Sequence, residues 1–373
     1  MLYFLKDLET FWGPFRLFEY QTFRAMMAGT TALVGGFLVA PWLLRKLDNL
    51  RQPEREAALM GEDIVKKGVQ VPTMGGFLVL LPAMFAVFLW VRFNVQVAAV
   101  IIVYLGMSAV GFVDDYLKIR KNDSAGLSEW AKMAGLVAAA LPAVVLLLAT
   151  PGAQAATIEI WVPFLKVAAL SADALPLWLG AAVAVVFFCV VTTGASNAVN
   201  FTDGLDGLAI GCVIASMLTF GLVAYLSGHA VFSNYLNISH VNGAGELAVL
   251  LGAVIGGAMV FLWYNAEPAQ VYMGDLGALG LGGLIGAVAF VTNHPFLLVI
   301  VGGVFVVEAM SVIIQRVYYK HTKRRGEGRR IFKMTPIHHH FQKEGWANSK
   351  IVVRFWMLAL LCGIVGLATL KLR

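Results

Sequence analysis

Charge is what this sequence has least of. Only 13% of its 373 residues are Asp, Glu, Lys or Arg, against roughly 25% in a typical soluble domain, and that scarcity excludes a water-soluble globular chain. Cysteine is almost missing: Cys189, Cys212 and Cys362 lie scattered in apolar runs. No metal-ligand spacing links them, so they read as small core residues rather than a disulfide or zinc framework. A cleavable signal peptide is also missing, because Asp7 and Glu9 precede Phe11-Trp12 and no small-residue cleavage site follows. The first apolar run is therefore expected to be retained. Nothing in the sequence points to a nucleic-acid partner.

What fills the chain instead is hydrophobic sequence, at 59% of residues and a mean hydropathy of +0.78. Runs long enough to cross a hydrocarbon core occur near 22–43, 73–92, 95–113, 130–149, 175–196, 207–227, 245–264, 276–292, 296–318 and 352–370. The spacing predicts an all-α polytopic membrane protein with about ten transmembrane helices, forming a single integral-membrane domain over 1–373. Of the 28 basic residues, 21 fall in alternate loops: after span one, after span three, and between spans nine and ten. Retention of Lys and Arg on the cytoplasmic side makes those loops cytoplasmic and puts both termini on the periplasmic side. The outer 150–174 segment holds Thr157-Ile-Glu-Ile-Trp161, whose alternation reads as a short strand or hairpin.

By the same alternation, the polar motifs that lack basic residues gather on the cytoplasmic face. Asp203 and Asp206 stand three apart where the sixth run begins, a spacing that would put both on one face at a helix N-terminus, whose free N–H groups favour anions. An N-cap is the plainer reading. Span three ends in Gly111-Phe-Val-Asp-Asp-Tyr-Leu-Lys118. Successive helical residues diverge by about 100°, so Asp114 and Asp115 are not expected to face one neighbour unless the helix frays. A carboxylate pair there suits magnesium binding or proton transfer. Asp275 opens the glycine-rich eighth span after Asn265 and Tyr272; its plainer reading is again a cap, and the glycines read as close helix packing. Tyr272 could stack on a planar base, or belong to the interfacial aromatic belt. Lys66-Lys67-Gly68 precedes Pro72-Thr-Met-Gly-Gly76, offering a phosphate partner or a positive-inside anchor. Glu308 lies deep in the ninth run, costly unless it pairs internally or marks a helix break. His338, His339 and His340 are consecutive and cannot all point one way, which argues against a metal cage built from that run alone.

Together, Pro72-Thr-Met-Gly-Gly76, Gly111-Phe-Val-Asp-Asp-Tyr116, Asn200-Phe-Thr-Asp-Gly-Leu-Asp-Gly-Leu208, Tyr272-Met-Gly-Asp275 and Pro336-Ile-His-His-His340 resemble the phospho-N-acetylmuramoyl-pentapeptide transferases, within the polyprenyl-phosphate N-acetylhexosamine-1-phosphate transferases. The resemblance runs in order from Phe23 to Arg373. It implies transfer of phospho-N-acetylmuramoyl-pentapeptide from a uridine diphosphate carrier to undecaprenyl phosphate, with Mg2+, in the bacterial inner membrane. It also implies a homodimer. By the resemblance, Asp275 is the leading magnesium ligand, with Asp114 or Asp115 as a second. Asp114, Asp115, Asp203, Asp275 and His338 are the catalytic candidates. Asn200 and Asp203 belong by the pyrophosphate or ribose, Asp206 and Tyr272 near uracil, and Lys66, Thr73, Asn265 and His339 complete the substrate site. The chain departs from the family in carrying Val69-Gln-Val71 between Gly68 and Pro72, which leaves Lys66 and Lys67 both open as the active-site lysine.

The chemistry implied joins two polyanions, by direct attack of a lipid-phosphate oxygen on the β-phosphorus or through an aspartyl-phosphate. A sister enzyme transferring N-acetylglucosamine-1-phosphate is the nearest alternative, disfavoured by the triple histidine. A transporter is the alternative from another class. Against it, the acids cluster at one interface rather than the midplane, and the halves show no internal repeat.

Overall fold

The computed structural model describes residues 2–48, 71–121, 126–162, 165 and 168–371. Lys66, Lys67 and the departure at Val69-Gln70 lie outside the described residues. Helices occupy every one of the ten predicted hydrophobic runs: α1 (Gln21–Leu47), α2 (Phe77–Trp90), α3 (Val95–Lys121), α4 (Glu129–Ala149), α6 (Leu177–Thr202), α7 (Leu208–Gly228), α9 (Gly245–Asn265), α10 (Gly274–Val291), the pair α11 (Leu297–Val301) and α12 (Gly303–Arg324), and α14 (Asn348–Thr369). Short helices α5 (Pro151–Ile158), α8 (Ala230–Leu236) and α13 (Ile337–Lys343) lie between them. Among the described residues, eight helices are long and apolar enough to cross a membrane, and the molecule is a polytopic membrane protein.

Two of the ten runs differ from simple spans. α2 has 14 residues, about 21 Å at 1.5 Å per residue, because the chain reaches it through an ordered turn instead of a helix. The ninth run breaks at Gly302, where φ −87° and ψ 21° end α11 before α12 resumes. A third expectation, a short strand or hairpin at 157–161, survives only as a single antiparallel bridge. Pro151 opens α5, and its helix carries Thr157 and Ile158; only Ile160 forms an isolated antiparallel bridge, with Leu170. Proline at a first helical position is preorganised for helix and outweighs a brief β-like alternation.

The centre of the bundle is α10, every residue of which is buried. Its glycines are the reason it fits there. A Cβ on Gly282 would stand 2.6 Å from the Ala195 carbonyl oxygen of α6, and one on Gly286 would stand 3.0 Å from Thr192 Cα. Gly280 and Gly283 meet Ser108 and Met107 of α3 in the same way. Small residues let backbones approach where no hydrophobic force acts between helices in lipid. The most extensive helix pairings are α3 with α10, α1 with α9 and α6 with α10.

One end of the bundle is locked by a buried ion pair. Arg24, at the start of α1, donates to both carboxylate oxygens of Glu246, at the start of α9, at 2.7 and 2.6 Å, and to the Trp90 carbonyl at 3.1 Å. The Arg92 N–H donates to the same carboxylate at 3.0 Å, and the Gln21 amide at 3.4 Å. The acid cluster lies at the opposite end of these helices.

Candidate active site

Asp275 sits in the first turn of α10, on a chain reversal that Gly274 makes at φ +71°. A side chain at Gly274 would run into Asp115 Oδ2 and Thr73 Oγ1, so the glycine serves both the turn and the close approach. The Pro72–Gly76 motif is laced to this turn by backbone: Tyr272 N donates to Pro72 O at 2.8 Å, Gly75 N to Tyr272 O at 2.8 Å and Gly76 N to Met273 O at 3.0 Å. Met74 between them is held at φ +64° while fully buried, a conformation L-residues rarely adopt. That lacing places the Thr73 hydroxyl, buried and without a hydrogen-bond partner among the described residues, beside the acids.

Asp114 and Asp115 come to the same place from α3. That helix does not fray; it runs on to Lys121, and both carboxylates still reach the α10 terminus. The expectation that they must diverge is corrected, because that terminus and Lys118 sit between the two side-chain directions. Asp115 Oδ2 accepts from Leu276 N at 3.1 Å, so a carboxylate from a neighbouring helix meets one of the free N–H groups of α10. Asp114 accepts from Leu127 N at 2.8 Å and pairs with Lys118 at 2.5 Å. Oxygen atoms of Asp114, Asp115 and Asp275 all lie within 4.8 Å of one another, a grouping that could hold a metal ion.

Three further side chains grip Asp275: Lys132 of α4 at 2.6 Å, Lys118 at 2.9 Å, and Asn200 of α6, whose amide donates at 3.1 Å. In the sequence the two lysines read as topological charges alone. Lys118 has a local signal, four residues after Asp114 on a helix; Lys132 carries none. With every group ionised, three carboxylates against two ammonium groups leave net negative charge. The donor set is all oxygen, which suits a hard divalent cation.

The second group of candidates surrounds the turn between α6 and α7. Asp203 follows the last turn of α6, its N–H donating to Asn200 O at 3.2 Å. Asp206 lies in the turn, and α7 begins only at Leu208, after Gly207 at φ +76°. The two acids therefore do not share a helix face at an N-terminus; the glycines end one helix and delay the next. The turn is tied to the 265–271 segment. Asn265 accepts from Gly207 N at 2.9 Å and donates to Val271 O at 2.9 Å, and Asp206 accepts from Ala269 N at 3.0 Å. Burial pushes the Asp206 carboxyl above its ordinary range, with Glu267 adding in the same direction against the Ala269 N–H. From α14, Trp356 Nε1 donates to Gly207 O at 3.0 Å.

The three histidines diverge as their spacing requires. His338 is fully buried against Glu308, His339 meets Gln342 at 2.6 Å, and His340 accepts from Lys333 N at 3.1 Å. Burial and the neighbouring His338 hold the His339 imidazole below its ordinary value. The structure thus brings together Asp114, Asp115, Asp275, Asn200 and Thr73 around one point, with the backbone of Tyr272 alongside. Asp203, Asp206, Asn265 and His338 gather around the adjoining turn, and α6 carries Asn200 and Asp203 to both.

Residues 95–293 match the glycosyl transferase family 4. The chain is also similar, at 47% identity over 379 aligned positions covering all of both chains, to the phospho-N-acetylmuramoyl-pentapeptide-transferase of Opitutus terrae.

Proposed function

Because the chain belongs to the phospho-N-acetylmuramoyl-pentapeptide transferase family, we propose that it moves phospho-N-acetylmuramoyl-pentapeptide from uridine diphosphate to undecaprenyl phosphate. The products are lipid I and uridine monophosphate. The observation that carries this reading is the convergence of three carboxylates, two lysines and Asn200 at one end of a membrane bundle, where charge on two joining phosphates has to be neutralised.

Asp275, with Asp114 and Asp115, would hold Mg2+, and the Thr73 hydroxyl is a further oxygen beside them. When bound, the ion would screen diphosphate charge and favour departure of uridine monophosphate. Lys118 and Lys132 are placed to exchange Asp275 for phosphate oxygens of the substrate. Asn200 keeps Asp275 oriented while they do so. A phosphate monoester's second pKa is about 6, so the lipid phosphate is largely ionised at neutral pH and attacks without a base. A bond forms between its oxygen and the β-phosphorus; the bond from that phosphorus to the bridging oxygen breaks, and the bridging oxygen leaves on uridine monophosphate. All three carboxylates are engaged by lysine or backbone N–H groups, which suits holding charge better than nucleophilic attack. The prenyl tail would lie along the exposed face of α12, at Val307, Met310, Ile314 and Val317.

The basic loops support a cytoplasmic position for this end of an inner-membrane enzyme, and family resemblance implies a homodimer. The test is uridine monophosphate release by the purified chain in detergent, with undecaprenyl phosphate and Mg2+. Release from the muramoyl-pentapeptide donor, absent with uridine diphosphate N-acetylglucosamine and reduced about 10²–10³-fold by Asp275→Asn, is the expected result. Release from the glucosamine donor alone would move the chain to the sister activity.

A further inference from the structure

Glu308 lies in the second turn of α12, just past the break at Gly302, and is fully buried. It belongs to an inward stripe of Val304, Glu308, Ser311 and Gln315. Gln315 has a visible structural role, since its oxygen accepts from Ile331 N at 2.9 Å and Phe332 N at 3.1 Å, and its amide donates to Phe332 O. That clamp brings the chain after α12 back toward the helix and sets where α13 begins. Glu308 clamps no backbone. Its Oε1 stands 3.1 Å from His338 Nδ1, within ion-pair distance but not aligned as a hydrogen bond, and neither carboxylate oxygen nor either ring nitrogen has a hydrogen-bond partner among the described residues. A fully buried carboxylate with a single neighbour is expensive.

The other side of the ring explains where this pair points. His338 Nε2 packs directly on Gly204, so closely that a Cβ there would overlap it. Gly204 is in the turn between Asp203 and Asp206. The ring thus spans from a carboxylate inside the bundle to the turn that joins both halves of the candidate site, with the tilted His339 ring beside it at 4.1 Å between centroids.

We propose that Glu308 is a positioning residue for His338: it holds a proton on Nδ1 and fixes the ring so that Nε2 is set against Gly204, beneath the 203–206 turn over which substrate binds. Which nitrogen of an imidazole carries the proton is set by the partner of the other nitrogen. A buried carboxylate beside Nδ1 therefore determines the chemistry available at Nε2. The role of His338 toward substrate rests on the transferase reading; the Glu308 to Nδ1 coupling does not.

The experiment uses the full chain in detergent, labelled with 15N-histidine, together with steady-state uridine monophosphate release. The His338 signal is identified by its loss in His338→Gln. A protonated Nδ1 is expected in the unaltered protein. Glu308→Ala should lower kcat about 10–100-fold, as loss of an outer partner of a functional histidine does, with KM for both substrates within about twofold. Glu308→Gln keeps an oxygen that accepts from Nδ1–H and should recover to within about fivefold of the unaltered enzyme. A proton on Nε2 alone would overturn the proposal, as would an unchanged kcat in Glu308→Ala or a glutamine variant no better than alanine. If the unaltered protein releases no uridine monophosphate, the transferase reading fails, and the 15N signal still decides the pairing.

Discussion

Removing one ammonium group from beside Asp275 alters a charge balance and a hydrogen bond together. Lys132 makes the shorter contact and comes from a different helix than Lys118, so Lys132→Met leaves a buried carboxylate half paired and also unpins α4. A loss of roughly 1–3 kcal/mol of stability is expected from thermal unfolding in detergent. Uridine monophosphate release should fall about 10–100-fold as the phosphate oxygens lose a partner. Asp206 behaves differently, because burial raises its carboxyl. A raised acid favours the neutral form in the folded protein, so its contribution to stability is present below the ordinary value of about 4 and is lost as pH rises through the raised one. Asp206→Asn keeps an oxygen for Ala269 N, and should melt at or above the unaltered chain at pH 7, the gap closing on acidification toward about pH 4. From sequence, Asp114, Asp115 and Asp275 are legible because acids are rare in apolar runs. Lys132 is not, since it joins helices far apart in the chain; Glu308 stands out as an acid in an apolar run, but its approach to His338 depends on how the next helix folds back.

For a whole helix the deciding quantity is how closely its backbone meets a neighbour's. The glycines of α10 look alike in sequence to those of α1, yet Gly282 lies against the Ala195 carbonyl while Gly35 has nothing within 4 Å of an added Cβ. Gly282→Ala should therefore destabilise by about 1–3 kcal/mol through overpacking. Gly35→Ala should be neutral or gain up to about 1 kcal/mol from helix propensity. Paired melting curves would decide; equal responses would mean that α10 can shift. Hydropathy locates all ten runs, since length and apolarity are local properties. It cannot locate the break at Gly302 or the short α2, because the first accompanies an inward polar stripe and the second an ordered turn, and both depend on what the chain packs against.

Across the molecule, the two ends are built on different principles. The Arg24–Glu246 end buries both charges in a two-pronged ion pair, with Arg24 Nε left without a partner among the described residues, whereas the acid end keeps its lysines one-fifth exposed. Orientation is tested by single cysteines in a cysteine-free background. Gly326→Cys should react with an impermeant reagent only in inside-out vesicles, and Gly152→Cys only in right-side-out ones; the reverse pattern would invert the topology. The inaccessibility of α10 on every side has a mechanical corollary. Asp275 is the fixed jaw of a vice, and what faces it are the side chains of Asp114, Asp115 and Lys118 from α3, Lys132 from α4 and Asn200 from α6. Whatever room a pair of phosphates needs must come from those side chains giving way, because the helix that carries Asp275 is enclosed along its whole length.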